Sequence, residues 1–326
     1  RLEAIPMNEK NTLYIVVPCY KEQEVLPETS RRLREKMRQL MDEGKISRRS
    51  RVMFVNDGSS DNTWAIISEL HEKEPEMFSG VNLSRNRGHQ NALLAGLLTA
   101  VNDADMIVSM DADLQDDINA VDEMVDDYHK GYDVVYGVRS KRETDTFFKR
   151  FTAEGFYKVM KALGVDIVFN HADYRLMSKR AVEGLAEFTE VNLRGIVPQI
   201  GYKWTTVTYE RAERFAGESK YPLKKMIAFA ADGITSFSVK PIRLVFSTGV
   251  VVFIVSLIML IYALVAKLAG HTSVGWTSLM GSIWLIGGIQ LLGLGVVGEY
   301  IGKIYNETKR RPRFIIESVL NKADNE

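Results

Sequence analysis

Two stretches of this chain carry no charged side chain and are long enough to cross a membrane. Leu244 to Ala266 runs for 23 residues, and Thr272 to Gly298 for 27. About 20 apolar residues span the hydrocarbon core of a bilayer. Lying side by side, the runs predict two transmembrane helices, about 244–266 and 275–298, rather than a buried hairpin in a soluble protein. The loop joining them, around Lys267 to Ser273, carries only Lys267 and His271. Lys240 and Arg243 precede the first run, and Lys303, Lys309, Arg310, Arg311 and Arg313 follow the second. The positive-inside rule then predicts a multi-pass plasma-membrane protein with its large N-terminal part and both termini in the cytoplasm. Gly281, Gly287, Gly288, Gly293, Gly295 and Gly298 give the second run small faces. They predict close helix packing, with Gly287 or Gly288 toward the partner helix, and make self-association of the chain plausible.

The rest of the chain reads differently. It alternates short, mostly apolar strands with helices. "TLYIVVP" (12–18), "RVMFVND" (51–57), "FSGVNLS" (78–84), "DMIVSMDAD" (105–113) and "YDVVYGVRS" (132–140) read as strands. Residues 22–43, 88–101 and 117–129 read as helices, and Ser60 or Asp61 as the cap of another. This pattern predicts an α/β fold with a mostly parallel, Rossmann-like sheet covered on both faces. The expected organisation is a cytoplasmic domain (1–220), an interfacial amphipathic helix (221–243), the two spans (244–300) and a cytoplasmic tail (301–326). An ordinary docking helix fits 221–243 equally well. The 42 basic and 42 acidic residues balance, which argues against a nucleic-acid binder. The single cysteine, Cys19, excludes an internal disulfide and a cysteine zinc site. The leading residues "RLEAIPMNEKN" show no apolar signal-peptide core.

Parallel sheets bind ligands beyond the C-terminal ends of their strands. "PCYKE", "NDGSSDN", "SRNRGHQN" and "DADLQDD" all fall there. Asp111 and Asp113, two apart after a strand, offer hard oxygens suited to Mg²⁺ or Mn²⁺, and Gln115 adds a neutral one. An isolated Asp-x-Asp is usually a solvated turn; its place at a strand end raises its weight. Asp57 before Gly58 reads as a turn, and Glu22 as a helix-start residue. At the top of a sheet either carboxylate could instead accept hydrogen bonds from a base or ribose, with Tyr20 against the base. Arg139, Lys141, Arg142, Lys149 and Arg150 follow the fifth strand, and Arg211, Arg214, Lys220, Lys224 and Lys225 precede the first span. Charge runs are commonly solvated faces. Beside an acidic metal pair, arginines instead suit phosphate, through two parallel hydrogen bonds. Two phosphate ligands follow, one soluble and one lipid-borne.

"VPCYKE", "VNDGSSDNT", "LSRNRGHQNALLAG", "MDADLQDD", "GVRSKR", "ADYRLMSKRAV" and "ERFAGESKYP" stand in the order seen in family 2 glycosyltransferases. From about residue 12 to 313 the chain resembles the branch that glycosylates polyprenyl phosphates, which includes bactoprenol glucosyltransferases and dolichol-phosphate mannose synthases. The resemblance implies a GT-A fold, a nucleotide-sugar donor such as UDP-glucose or UDP-N-acetylglucosamine, a divalent cation and an undecaprenyl-phosphate acceptor. By motif match it implies a nucleotide-sugar pocket at Pro18, Tyr20, Glu22, Asp57 and Asp111. It implies a metal site at Asp111, Asp113 and Gln115, and catalytic roles for Asp113, Asp173, Arg175 and Arg139. For the acceptor phosphate it implies Arg139, Arg150, Arg214, Ser219 and Lys220. "DLQDD" stands where many relatives carry prolines, which predicts a different path for the loop after the metal.

A phosphate monoester is already anionic at neutral pH, so such an acceptor needs positioning more than a base. A processive polysaccharide synthase is disfavoured, because "QIGYKW" lacks the Gln-x-x-Arg-Trp spacing. A transporter is disfavoured by spans without internal charge. A catalytically silent nucleotide-sugar sensor or scaffold remains the alternative class.

Overall fold

The computed structural model describes residues 11–139, 171–188, 193–210, 240–269, 275–309 and 311–321. The chain divides into two compact units. One comprises Arg1–Thr152, Ile167–Lys220 and Pro312–Glu326; the other comprises Ala153–Asp166 and Tyr221–Arg311.

The first unit is built on one eight-stranded sheet. Its strands are β1 (Leu13–Cys19), β2 (Arg51–Asn56), β3 (Phe78–Leu83), β4 (Met106–Ser109), β5 (Val134–Arg139), β6 (His171–Ser178), β7 (Trp204–Tyr209) and β8 (Ile316–Leu320). Their order across the sheet is β7-β5-β6-β4-β1-β2-β3-β8. Strands β4, β1, β2 and β3 pair in parallel, as do β5 and β7, while β6 and β8 run against their neighbours. Every residue of β1 and β2 is buried, as expected for central strands covered on both faces.

Helices α1 (Leu26–Asp42), α2 (Thr63–Lys73), α3 (His89–Ala100) and α4 (Ala120–His129) provide the cover. Helix α1 buries Leu26, Leu33, Met37 and Leu40, one stripe at helical spacing. Helix α3 is buried over Ala92–Leu97, and it lies directly on the sheet. A Cβ at Gly96 would come within 2.4 Å of Val16 Cγ1 and 2.6 Å of Val55 Cγ2. Two shorter helices follow β6, α5 (Lys179–Ala186) and α6 (Leu193–Ile196). In the second unit, α7 (Lys240–Leu268) and α8 (Trp276–Thr308) hold the two uncharged runs.

Several expectations are corrected. The fourth strand ends at Ser109, so the acidic run is a turn and not strand. Helix α1 starts at Leu26, not at Glu22, because the Glu22 carbonyl only opens its first turn. Helix α2 has Asn62 at its cap, although Asp61 does accept the Thr63 N–H at 3.2 Å. Residues 316–320 are not a free tail but an edge strand on β3. The "ADYRL" segment forms β6, inserted antiparallel between β4 and β5. Among the described residues, a Cβ at Gly293 would lie 3.3 Å from Val245 Cγ1 on the first helix, whereas nothing lies within 4 Å of a Cβ at Gly287 or Gly288. Residues 221–239, read as an interfacial helix, lie outside the described residues, and Lys240 to Arg243 already belong to α7. Among the described residues one stretch, Leu285–Tyr305, meets both the length and the hydropathy of a membrane span.

Candidate active site

The polar turns gather at one edge of the sheet, beyond the C-terminal ends of β1, β2 and β4. Pro18 is buried within β1, and Tyr20, just beyond it, is 45% exposed. Lys21 is held in the left-handed region (φ 58) and donates its N–H to Ser59 Oγ at 3.0 Å. The Glu22 N–H donates to Thr63 Oγ1 at 3.0 Å, joining this turn to α2.

Asp57, after β2, is buried and accepts two backbone N–H groups, from Arg87 at 2.7 Å and from Gly88 at 2.9 Å. It therefore staples the turn before α3, using two of the roughly four acceptor positions of a carboxylate. Gly58 makes this packing possible. Its φ is +59, and a Cβ there would lie 2.4 Å from the Arg85 carbonyl carbon. Gly58→Ala is expected to lower stability by about 2 kcal/mol or more, through left-handed strain plus the clash. Thermal unfolding will measure it, and an unchanged midpoint would show that the turn can shift.

The acidic turn after β4 is pinned from several sides. Ser109 Oγ donates to the Asp173 carbonyl at 2.5 Å. Thr29 Oγ1, on α1, donates to the Ala112 carbonyl at 2.8 Å. Leu114 adopts φ 56, and the Gln115 N–H turns back to Asp113 Oδ1 at 3.2 Å. Tyr174 OH donates to the Asp117 carbonyl at 2.8 Å, and Tyr209 OH to Asp116 Oδ1 at 2.5 Å. The two tyrosine rings meet edge to face with centroids 5.2 Å apart. These contacts set the path of the loop that carries Asp116 and Asp117.

Asp173 is buried beside a fully buried Arg175. Arg175 donates to Asp173 Oδ1 at 2.7 Å and to the Leu193 carbonyl at 3.2 Å. Gln90 Nε2 donates to Asp173 Oδ2 at 2.9 Å, and Gln90 Oε1 accepts the Leu193 N–H at 3.2 Å. His89 Nε2 stands 3.4 Å from Asp111 Oδ1 and 3.7 Å from Asp173 Oδ2. Residues 89 and 90 thus tie α3 to both acidic strand ends. Burial pushes the Asp111 carboxyl up to about 6, His89 opposes this, and the Asp116, Asp173 and Asp113 charges add to it.

Arg139 ends β5, in register with Tyr209 on β7. Its Nε donates to Tyr209 OH at 3.3 Å, and a terminal nitrogen lies 3.7 Å from Asp116 Oδ1. The expected residues Pro18, Tyr20, Glu22, Asp57, Asp111, Asp113, Gln115, Arg139, Asp173 and Arg175 all lie in the sheet unit, at or near its strand ends. Arg150, Arg214, Ser219 and Lys220 lie outside the described residues. Sequence reasoning did not single out His89, Gln90 or Tyr209, and Asp116 stood out only as part of the acidic run "DADLQDD". The first two sat in the quoted "SRNRGHQN" segment, whereas Tyr209 gave no signal beyond an alternating strand.

The donor set fits a hard divalent cation. Asp111 and Asp113 offer two carboxylates, Gln115 an amide oxygen, and neighbouring acids make the site anionic. Among the described residues no cluster of three or more His, Cys, Asp or Glu side chains forms a closed metal cage.

Comparisons with known proteins agree with this architecture. Residues 14–186 match the model for glycosyl transferase family 2, and residues 240–304 match that for the GtrB C-terminal hairpin. The chain is 52% identical to the uncharacterized glycosyltransferase YkoT of Bacillus subtilis, over 94% of this chain and 91% of that protein. It is 40% identical to a prophage bactoprenol glucosyl transferase homolog of Escherichia coli, over 94% and 98%. It is 38% identical to the bactoprenol glucosyl transferase of Shigella phage SfV, over 94% and 99%. A solved structure of the mannosyltransferase PcManGT from Pyrobaculum calidifontis, with GDP-Man and Mn²⁺, aligns over 90% of this chain and 88% of that one, at 15% identity and TM-score 0.44. With a parallel-cored sheet, a strand-end acidic turn and a family match spanning more than half its length, the chain belongs to glycosyl transferase family 2 and is a glycosyltransferase with a GT-A-like α/β fold.

Proposed function

We propose that this enzyme transfers glucose from UDP-glucose to undecaprenyl phosphate at the cytoplasmic membrane face, by one inverting displacement. N-acetylglucosamine, from its UDP-sugar, is the second donor to test. The observation that carries the reading is Arg139, held by Tyr209 and Asp116 beside the acidic turn of Asp111 and Asp113. A cationic fork next to an anionic, cation-seeking turn suits two phosphate ligands at once. Two relatives bearing the name bactoprenol glucosyl transferase support the acceptor class and the sugar.

In this reading Pro18, Tyr20, Glu22 and Asp57 frame the nucleotide. Asp111, Asp113 and Gln115 hold Mg²⁺ or Mn²⁺, which balances the charge gathering on the departing nucleoside diphosphate. Arg139 orients the acceptor phosphate, with Arg150, Arg214, Ser219 and Lys220 assisting. The phosphate oxygen attacks the anomeric carbon as its bond to the nucleoside diphosphate breaks, which inverts that centre. The acceptor arrives as an anion, so no side chain need remove a proton. Asp173, held by Arg175 and Gln90, orients a sugar hydroxyl.

Both α7 and α8 cross the bilayer in this proposal. Phe246, Ile258, Tyr262, Leu285 and Leu291 are exposed apolar side chains on these helices, as lipid contact requires. The strand β8 follows the hairpin and pairs with β3. The chain therefore leaves and rejoins one folded unit, which requires an even number of crossings.

A donor panel with undecaprenyl phosphate, read by mass spectrometry of the lipid, tests the reaction. UDP-glucose should give a hexosyl-phosphate lipid of inverted configuration. Nucleotide binding without lipid product would favour the silent sensor. Arg139→Ala should weaken acceptor use at least about tenfold more than nucleotide binding, and Tyr209→Phe should move the same parameter less. Equal losses for both ligands would overturn the acceptor role.

A further inference from the structure

The C-terminal strand reaches the proposed nucleotide turns through an unbroken line of hydrogen bonds. Asn82 Nδ2, on β3, donates to Glu317 Oε2 at 2.9 Å. Asn56 Nδ2, at the end of β2, donates to Asn82 Oδ1 at 2.7 Å. The Ser59 N–H donates to Asn56 Oδ1 at 3.2 Å, and Ser59 Oγ accepts the Lys21 N–H at 3.0 Å. The line crosses the ends of β3, β2 and β1 and stops between Tyr20 and Glu22.

Its direction is set at the far end. The exposed Glu317 side chain accepts from Asn82, which favours an Asn82 amide with its NH₂ toward Glu317 and its oxygen toward Asn56. Asn56 must then turn its NH₂ to Asn82, which leaves its oxygen for the Ser59 N–H. Were Asn56 reversed, two donors would face each other at Ser59. Asn56 is buried, so bulk water offers little substitute partner there. Lys21 sits in left-handed backbone, which a non-glycine residue keeps only when its surroundings hold it.

The strand is shaped for this contact. Asn82 pairs with Ser318 and Leu83 with Ile316, so Glu317 is the extra residue of a bulge. Bulges re-aim side chains near active sites.

We infer that Glu317 and Asn82 are positioning residues for the donor site. Through Asn56 they set the shape of the turns 20–22 and 57–61, so the segment after the hairpin helps determine nucleotide affinity. This rests on the proposed role of those turns, and the test separates the two.

The full chain in detergent is compared with Glu317→Gln and Glu317→Lys. Hydrogen exchange of residues 20–22 and 57–61 is read without ligand, and UDP-glucose binding is read with Mg²⁺. Glutamine can still accept from Asn82, and lysine can only donate. Glu317→Lys should speed exchange in both turns and weaken UDP-glucose about threefold to tenfold, with the KM for polyprenyl phosphate unchanged. Glu317→Gln should stay within about twofold of the parent. Asn82→Ala removes the acceptor that fixes the direction of Asn56, and should repeat the lysine result. Unchanged exchange in Glu317→Lys and Asn82→Ala would overturn the relay. Glutamine as damaging as lysine would also overturn it, since charge and not bond direction would then matter. Faster exchange in Glu317→Lys, with a parent that never binds UDP-glucose, would leave the relay standing and overturn its link to the donor.

Discussion

Replacing Asp113 with alanine will reduce glycosyl transfer by about 10²–10³-fold or more, and chelating divalent cations from the parent enzyme will do the same. In the proposed reaction the leaving nucleoside diphosphate would gain negative charge near Asp111, Asp116 and Asp173, and a divalent cation would balance it. Asp113 is partly exposed on the turn, so its loss should leave the unfolding temperature nearly unchanged. Full activity in EDTA would refute the metal site. A pH dependence follows with it. The Asp111 carboxyl is pushed up to about 6, so it holds a proton below that pH. A cation must displace this proton, and its apparent affinity should fall as pH drops through about 6, up to tenfold per unit. In cation-free protein the raised carboxyl has the opposite signature on stability. Its contribution is favourable at low pH and is lost as pH rises from about 4 to about 6. Thermal scans at pH 5 and pH 7, with and without Mn²⁺, will read both effects. Cation affinity equal at the two pH values would refute the coupling.

Asp173→Ala will destabilise the sheet unit by about 3–5 kcal/mol, a drop of roughly 6–20 °C in unfolding temperature. Arg175 is fully buried, and the change strips it of the carboxylate 2.7 Å away. A buried guanidinium left without that charge is far more costly than a lost surface pair. Asp173→Asn keeps an oxygen for Arg175 and should lose less stability. If alanine lowers the midpoint by under about 2 °C, the pair is not a structural unit. The asparagine variant then separates roles, since a loss of turnover without unfolding points to the sugar-orienting role.

Much of the fold was legible because its signals are local. The strands Leu13–Cys19 and Arg51–Asn56 are built on the apolar runs 13–19 and 52–55, and α1 shows its buried stripe by spacing alone. The acidic turn was legible in type but not in extent, since β4 stops at Ser109 where its partners β1 and β6 cease to pair with it. Strand β6 was not legible. "HADYRLMS" carries charge, because Asp173 and Arg175 neutralise each other in the interior, and that pairing is invisible without the fold. Tyr209 and Asp116 met only through β5–β7 pairing, over 93 residues of sequence.

By itself the sequence determined the parallel α/β core, the acidic strand end, the two uncharged runs and the family, because each depends on residue type and short-range spacing. Tertiary structure alone decided what those residues face: the Asp57 staple, the His89 and Gln90 ties, the arginine braced by a tyrosine, and the return of residues 316–320 to the sheet. These are contacts between segments far apart in the chain. Their partners are chosen by backbone geometry and burial, and no local pattern of side chains encodes that choice.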